Sequence, residues 1–386
     1  MLAIPSRLRP KPADHSPLLP MNRFVTVLCI VVLVLFVVGP TVAQSHEEEP
    51  CGTMEMDALL RQKYPAMGTL DDFERLLQRR IAERKALERQ GRITAEVITI
   101  PVVVHIVHNG EAIGQGRNLS LARINAQLET LNEDFRRKPG TPGFNTDPRG
   151  ADIEIEFCAA RLDPQGRNMP EAGVNRINGA RANWSRNDIE NVLKPSSIWD
   201  PDKYFNIWVV DFASTDANLV GYAQFPSLST LPGSPANSPR KTGGVVVRYQ
   251  SFGNVLKGAF ANMQAPYNRG RTLTHEVGHW LGLRHIWGDA NCGNDFCDDT
   301  PPQASESRGC QIGRFSCGNA NMVQNYMDYS DDECMNIFTR DQKTRMRTVM
   351  EISPRRNTLI TSNLCGTLIA GPPVPNFRAE TREILL

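Results

Sequence analysis

The chain has 386 residues, 22% of them charged, a formal net charge of +1 and nine cysteines. So even a balance describes an ordinary globular protein and excludes a long-range field of the kind that holds nucleic acid or an anionic surface.

Met21-Asn22-Arg23 precedes an uncharged apolar run over residues 24–38, followed by Gly39-Pro40-Thr41-Val42-Ala43. A basic start, a short apolar core and a small-residue end make a secretory signal peptide over residues 1–43, with translation from Met21 and cleavage after Ala43. The run is short for a spanning helix, so a secreted protein without stable membrane association is expected. Cys29 leaves with that segment. Five of the remaining cysteines fall between Cys292 and Cys334. In an exported chain this crowding reads as disulfides, not as a second metal site.

Residues 44–92 differ in character from the residues after them and read as a pro-segment. A charged stretch over 70–90, rich in arginine and glutamate, reads as a peripheral or removable helix with little core, and Arg89 and Arg92 suit proteolytic nicking. From 93 to 353 the pattern is that of one domain of alternating strands and helices. The β-branched run at 97–108 reads as a strand buried on both faces, with His105 and His108 as strand residues and not ligands. Ser120 caps a helix whose Ile124, Leu128, Leu131 and Phe135 share one face. Further strands are expected at 153–159, 204–210 and 243–248. Thr339 and Gln342 cap a last helix to about Met350, Pro354 ends the domain, and 354–386 form a tail that adds little beyond Cys365. The sum is an α/β (α+β) fold.

The segment from His275 to His285 carries the chemistry. His275 and His279 are four apart on a helix and share a face, and Gly282 can turn the chain so that His285 reaches the same point. Three imidazoles with a fourth position left to water form the catalytic zinc arrangement, and Glu276 is placed to take that water's proton. The bland reading is a chance cluster, yet three of only seven histidines stand here in register. A loop at 294–301 gathers hard oxygen ligands, which suits calcium or equally a solvated acidic turn.

The histidine segment, Asp299–Pro301 and Asn325–Cys334 together resemble the pappalysin family of metzincin zinc peptidases, in its ulilysin-like branch. The resemblance spans roughly 97–350. It implies a two-lobed domain with a twisted, mostly parallel sheet, an active-site helix and an irregular lower lobe. It makes His275, His279 and His285 the zinc ligands and Glu276 the general base and acid. Met327 becomes the apolar floor below the metal, and Tyr329 the hydroxyl that stabilises the oxyanion. It further implies calcium on Asp295 and Thr300, with the Asp298 carbonyl, and disulfides Cys292–Cys317 and Cys310–Cys334. Cys158, Cys297 and Cys365 are left without an assigned partner. Cys51 resembles the cysteine that keeps pappalysin zymogens latent, although it can equally be the partner of Cys365. Glu333 takes a position in the S1′ pocket, which implies Arg or Lys on the amine side of the cut bond. An extended substrate would pair with the strand near 245–248, unless that strand is plain core.

The expected function is thus a secreted zinc endopeptidase, made as a zymogen and acting on protein or peptide substrates. Two alternatives stand beside it. One is a non-catalytic secreted binding protein, stabilised by calcium and disulfides, with a vestigial zinc site. The other is an amidase. Glu276 opposes the first, since a structural metal site has no need of a base. The methionine–tyrosine pair opposes the second.

Overall fold

The computed structural model describes residues 49–93, 96–227 and 240–366. The expected signal peptide and residues 367–386 of the tail lie outside the described residues. Two helices precede the sheet, α1 (Thr53–Lys63) and α2 (Leu70–Arg89). A capping box starts α2: Asp72 N donates to Thr69 Oγ1 at 3.1 Å, and Thr69 N donates to the Asp72 carboxylate at 2.8 Å. The helix is not merely peripheral. Phe73, Leu77 and Ile81, spaced four apart, bury one face against Phe225 and Val349. Each such side chain contributes about 2–3 kcal/mol on burial. On the same face Glu74 pairs with Arg345, both almost fully buried.

The sheet begins with β1 (Ile98–His108), whose β-branched residues are buried almost throughout. Helix α3 (Leu121–Phe135) starts at Ser120, which accepts from Arg123 N at 3.3 Å, and buries Ile124, Leu128, Leu131 and Phe135 in the main core. Then come β2 (Ile155–Ala159), β3 (Val174–Asn178), the short helices α4 (Arg186–Asp188) and α5 (Lys194–Ser197), β4 (Phe205–Val210), β5 (Gly221–Ala223) and β6 (Val245–Arg248). The strand order is β2-β1-β4-β6-β5, with β3 beside the second half of β1. All pairs are parallel except β5–β6. This is the mostly parallel sheet of the expected α/β fold.

Two strands of this sheet escaped the pattern. β3 is half polar, and β5 has only three residues. The omission matters, because β6 (Val245–Arg248) bonds β4 on one side and β5 on the other. The strand expected to bind substrate is therefore interior, and β5 is the edge.

His105 is a strand residue. It is fully buried, stacks on Trp208 at 5.0 Å, and bonds Asn206 and Asn175 through its two nitrogens. Burial lowers its pKa to about 4. His108 lies at the end of β1, its Nδ1 accepting from Gly110 N at 3.1 Å.

After the sheet come α6 (Arg271–Trp280), the small hairpin β7 (Phe315–Ser316) and β8 (Asn319–Ala320), and α7 (Arg340–Ile352), which opens with the expected Thr339–Gln342 capping box. The fold continues past Pro354. Leu359 is fully buried in the main core, and Cys365 is disulfide-bonded to Cys158 at the end of β2. The tail up to Cys365 is therefore structural, and Cys365 is not the partner of Cys51.

Candidate metal centre

Helix α6 is seated from its N-terminus. Gly270 precedes it at φ +82°, and a Cβ there would stand 2.9 Å from the Gln127 amide of α3. Asp332 accepts from Arg269 N at 2.7 Å and Arg271 N at 3.2 Å, holding the first turn. Thr274 donates to Asp134 of α3 at 2.6 Å. After Leu281 the chain leaves the helix through Gly282 at φ +87°, where a Cβ would meet Val349 at 2.8 Å. That turn returns His285 to the helix face.

The three imidazoles converge. His279 Nε2 lies 3.1 Å from both His275 Nε2 and His285 Nε2. Their other nitrogens are committed: His275 Nδ1 faces the Tyr326 carbonyl at 2.7 Å, His279 Nδ1 the Leu283 carbonyl at 2.8 Å, and His285 Nδ1 the Asp289 carboxylate at 2.5 Å. An acceptor at each Nδ1 puts the proton there and leaves the Nε2 lone pair free. Three buried lone pairs aimed at one point repel each other unless a cation lies between them. The residues therefore fit a divalent metal that takes nitrogen donors, zinc foremost.

Glu276 is fully buried, and burial raises its pKa to about 7. Among the described residues its Oε1 has no hydrogen-bond partner, while its Oε2 accepts from Thr53 Oγ1 at 2.9 Å and Cys51 Sγ at 3.6 Å. Both donors belong to the stretch before or at the start of α1. Cys51 Sγ and the three histidine nitrogens all lie within 4.8 Å of one another. The Cys51 stretch runs along the edge strand: Val220 N donates to the Pro50 carbonyl at 2.8 Å and Gly52 N to the Gly221 carbonyl at 3.0 Å. Ahead of it, Glu49 accepts from the Tyr329 hydroxyl at 3.1 Å.

Met327 is buried beneath α6, close enough that a Cβ on Gly278 would stand 2.4 Å from its sulfur. Tyr329 packs its ring 4.9 Å from His285 and 5.7 Å from His275. Asp289, whose only sequence cue was a carboxylate four residues after His285, and Trp287, stacked on the His285 ring at 4.3 Å, were missed.

Glu333 lies outside the walls of the cavity beside His275. It is exposed and pairs with Arg269 at 2.8 Å. Its neighbour Asp332 instead lines a cavity beside His275, Glu276 and Tyr329, with Arg271 and Met335 in the same wall. Burial raises the Asp332 pKa to about 6, against the two backbone N–H groups it accepts from.

The loop expected to hold calcium folds on itself. Thr300 Oγ1 lies 2.8 Å from both Asp295 oxygens and 2.7 Å from the Cys297 carbonyl, and Asp298 donates its N–H to Asp341. Burial pushes the Asp295 pKa up to about 7. Disulfides join Cys292 to Cys317 and Cys310 to Cys334, the pairs implied by the resemblance, and Cys51 and Cys297 are buried free thiols.

Residues 188–351 match the family described as pregnancy-associated plasma protein-A. Extracellular metalloprotease 1 of Coccidioides posadasii is 54% identical over 267 residues, covering 68% of this chain and 80% of the relative. An extracellular metalloprotease of Pyricularia oryzae is 32% identical over 272 residues, 69% and 80% of the two chains. Among solved structures, mature mirolysin of Tannerella forsythia with a cleaved peptide superposes at TM-score 0.58, with 36% identity over 69% of this chain and 96% of that one. A promirolysin mutant superposes at 0.61, with 34% identity over 81% of this chain and 97% of that one. These likenesses set aside the binding-protein and amidase alternatives. The chain belongs to the pappalysin family of metzincins, and is an extracellular zinc metalloendopeptidase.

Proposed function

We propose that the chain is a secreted zymogen in which His275, His279 and His285 hold the zinc, Glu276 moves the proton, and Cys51 enforces latency. The observation that carries this reading is the convergence of three imidazole lone pairs on one point, with a thiol beside them and a buried, half-unpartnered carboxylate adjacent. Bound there, the ion supplies Lewis acidity and makes a water nucleophilic near neutral pH. Glu276 takes the proton of the attacking water and passes it to the departing amine. Tyr329, once Glu49 has left, is free to donate to the oxyanion of the tetrahedral intermediate. Met327 floors the site without ligating. The peptide backbone binds to the edge left when 50–53 depart, at Gly221 O and Ala223 N.

Latency has further support. The share of this chain matched rises from 69% with mature mirolysin to 81% with promirolysin, a difference of about 46 residues, close to the length of 49–93. A preference for Arg or Lys at P1′ is retained from the sequence, but on Asp332 in place of Glu333, because Asp332 lines the cavity next to the catalytic pair. Asp295 and Thr300 are proposed to hold calcium, since among the described residues no cationic side chain lies in ion-pair contact with the buried Asp295 carboxylate.

The test is to purify the full chain, release the pro-segment by limited proteolysis, and profile cleavage of a peptide mixture with and without chelator, with Glu276→Ala as control. Cleavage should appear on release, vanish with chelator and return with zinc. Processed wild-type protein that carries one zinc per chain and cuts nothing would sink the reading.

A further inference from the structure

Thr53, two residues after Cys51 and the first residue of α1, is fully buried. Its Oγ1 accepts from Ala223 N at 2.8 Å and lies 2.9 Å from Glu276 Oε2. The Ala223 amide can only donate, and a hydroxyl has one proton, so that proton is directed to Glu276. One side chain thus occupies both the carboxylate of the catalytic glutamate and an edge-strand amide available to a substrate carbonyl. The Thr53 N–H in addition donates to Cys51 Sγ at 3.5 Å.

We propose that Thr53 is a second latch, independent of the metal, which inactivates the zymogen by binding Glu276 and Ala223 N. This rests on the latency reading above. The thiol blocks the metal position; the hydroxyl blocks the base. A chain that has lost only the thiol still has its base engaged at Oε2 and its edge amide filled.

Four full-length, zinc-loaded zymogens decide the matter: wild type, Cys51→Ala, Cys51→Ala with Thr53→Val, and Cys51→Ala with Thr53→Ser. Initial rates on a fluorogenic peptide are read while gels show the chains intact. All four yield the same mature polypeptide after processing, so any difference belongs to the zymogen. Valine keeps the shape but removes donor and acceptor, and serine keeps both. The Cys51→Ala zymogen should stay at least tenfold below the mature enzyme. Adding Thr53→Val should raise its rate about tenfold, and adding Thr53→Ser should leave it within twofold. Equal rates for the valine and serine forms would overturn the second latch while leaving cysteine latency standing. A wild-type zymogen as active as the mature enzyme would overturn latency itself. Should the valine form fail to fold, judged by its melting curve, Thr53→Ala replaces it with the same expected ranking.

Discussion

Removing one carboxylate of the proposed pro-segment should unseat the helix that carries it. Arg345 of α7 is fully buried, and both of its terminal nitrogens engage the Glu74 carboxylate of α2, Nη2 at 2.7 Å. Its Nε donates to the Gly282 carbonyl at 2.6 Å, within the turn that returns His285. Glu74→Ala leaves a buried guanidinium with that one carbonyl. Breaking a buried pair from one side costs about 3–5 kcal/mol, because the surviving charge stays desolvated. For a domain of this size that lowers the melting temperature by roughly 5–8 °C. The assay is thermal unfolding of the intact, zinc-loaded chain beside the rate at which trypsin releases α1 and α2, which should rise. The double variant Glu74→Leu with Arg345→Met should be more stable than Glu74→Ala, since no charge is stranded. A loss under 1 kcal/mol for Glu74→Ala, or a double variant as unstable as the sum of its single changes, would refute the argument.

Three more expectations rest on the same structure. Gly278→Ala puts a methyl 2.4 Å from the Met327 sulfur and should cost about 1–3 kcal/mol despite alanine's better helix propensity, with weaker zinc retention against a chelator; a raised melting temperature would contradict this. Cys158→Ser opens a loop of 207 residues, so the variant should lose about 5 kcal/mol relative to the oxidised wild type in urea titrations without reductant. His105 is held neutral in the fold with a pKa of about 4, whereas the unfolded chain protonates near 6.5. Its contribution is therefore whole above pH 6.5 and is lost as pH falls towards 4, about 3 kcal/mol in all, and His105→Gln should flatten that part of the stability–pH curve.

The parts of this architecture that depend on spacing alone were legible in the sequence. Two histidines at helical spacing, a glycine able to take φ +87° and a third histidine fix the tripod without knowledge of the fold. Likewise Ser120 and Thr339 announced their helices. What needed three dimensions was hidden. Edge status is a property of neighbours, so Val245–Arg248 and Gly221–Ala223 could not be ranked as substrate strand from their residues. In the turn at 331–334, where Cys334 N bonds the Asp331 carbonyl, adjacent side chains diverge, so an acidic run could not tell Asp332 from Glu333. The apolar stripe of Phe73, Leu77 and Ile81 was visible in principle, but the surrounding arginines and glutamates outweighed it. Nothing local marks Thr53; its role arises only from what lies 170 and 223 residues away.

The buried unpaired thiol of Cys51 makes assembly order matter outside the cell. A sulfhydryl exposed to oxidant while six others are seeking mates can be captured by any of them, and only its burial between the edge strand and the three rings shields it. Docking must therefore precede cross-linking. Oxidant given before that docking would spend Cys51 in a wrong bridge and keep residues 50–53 off the edge strand, so that neither of the proposed latches would be set.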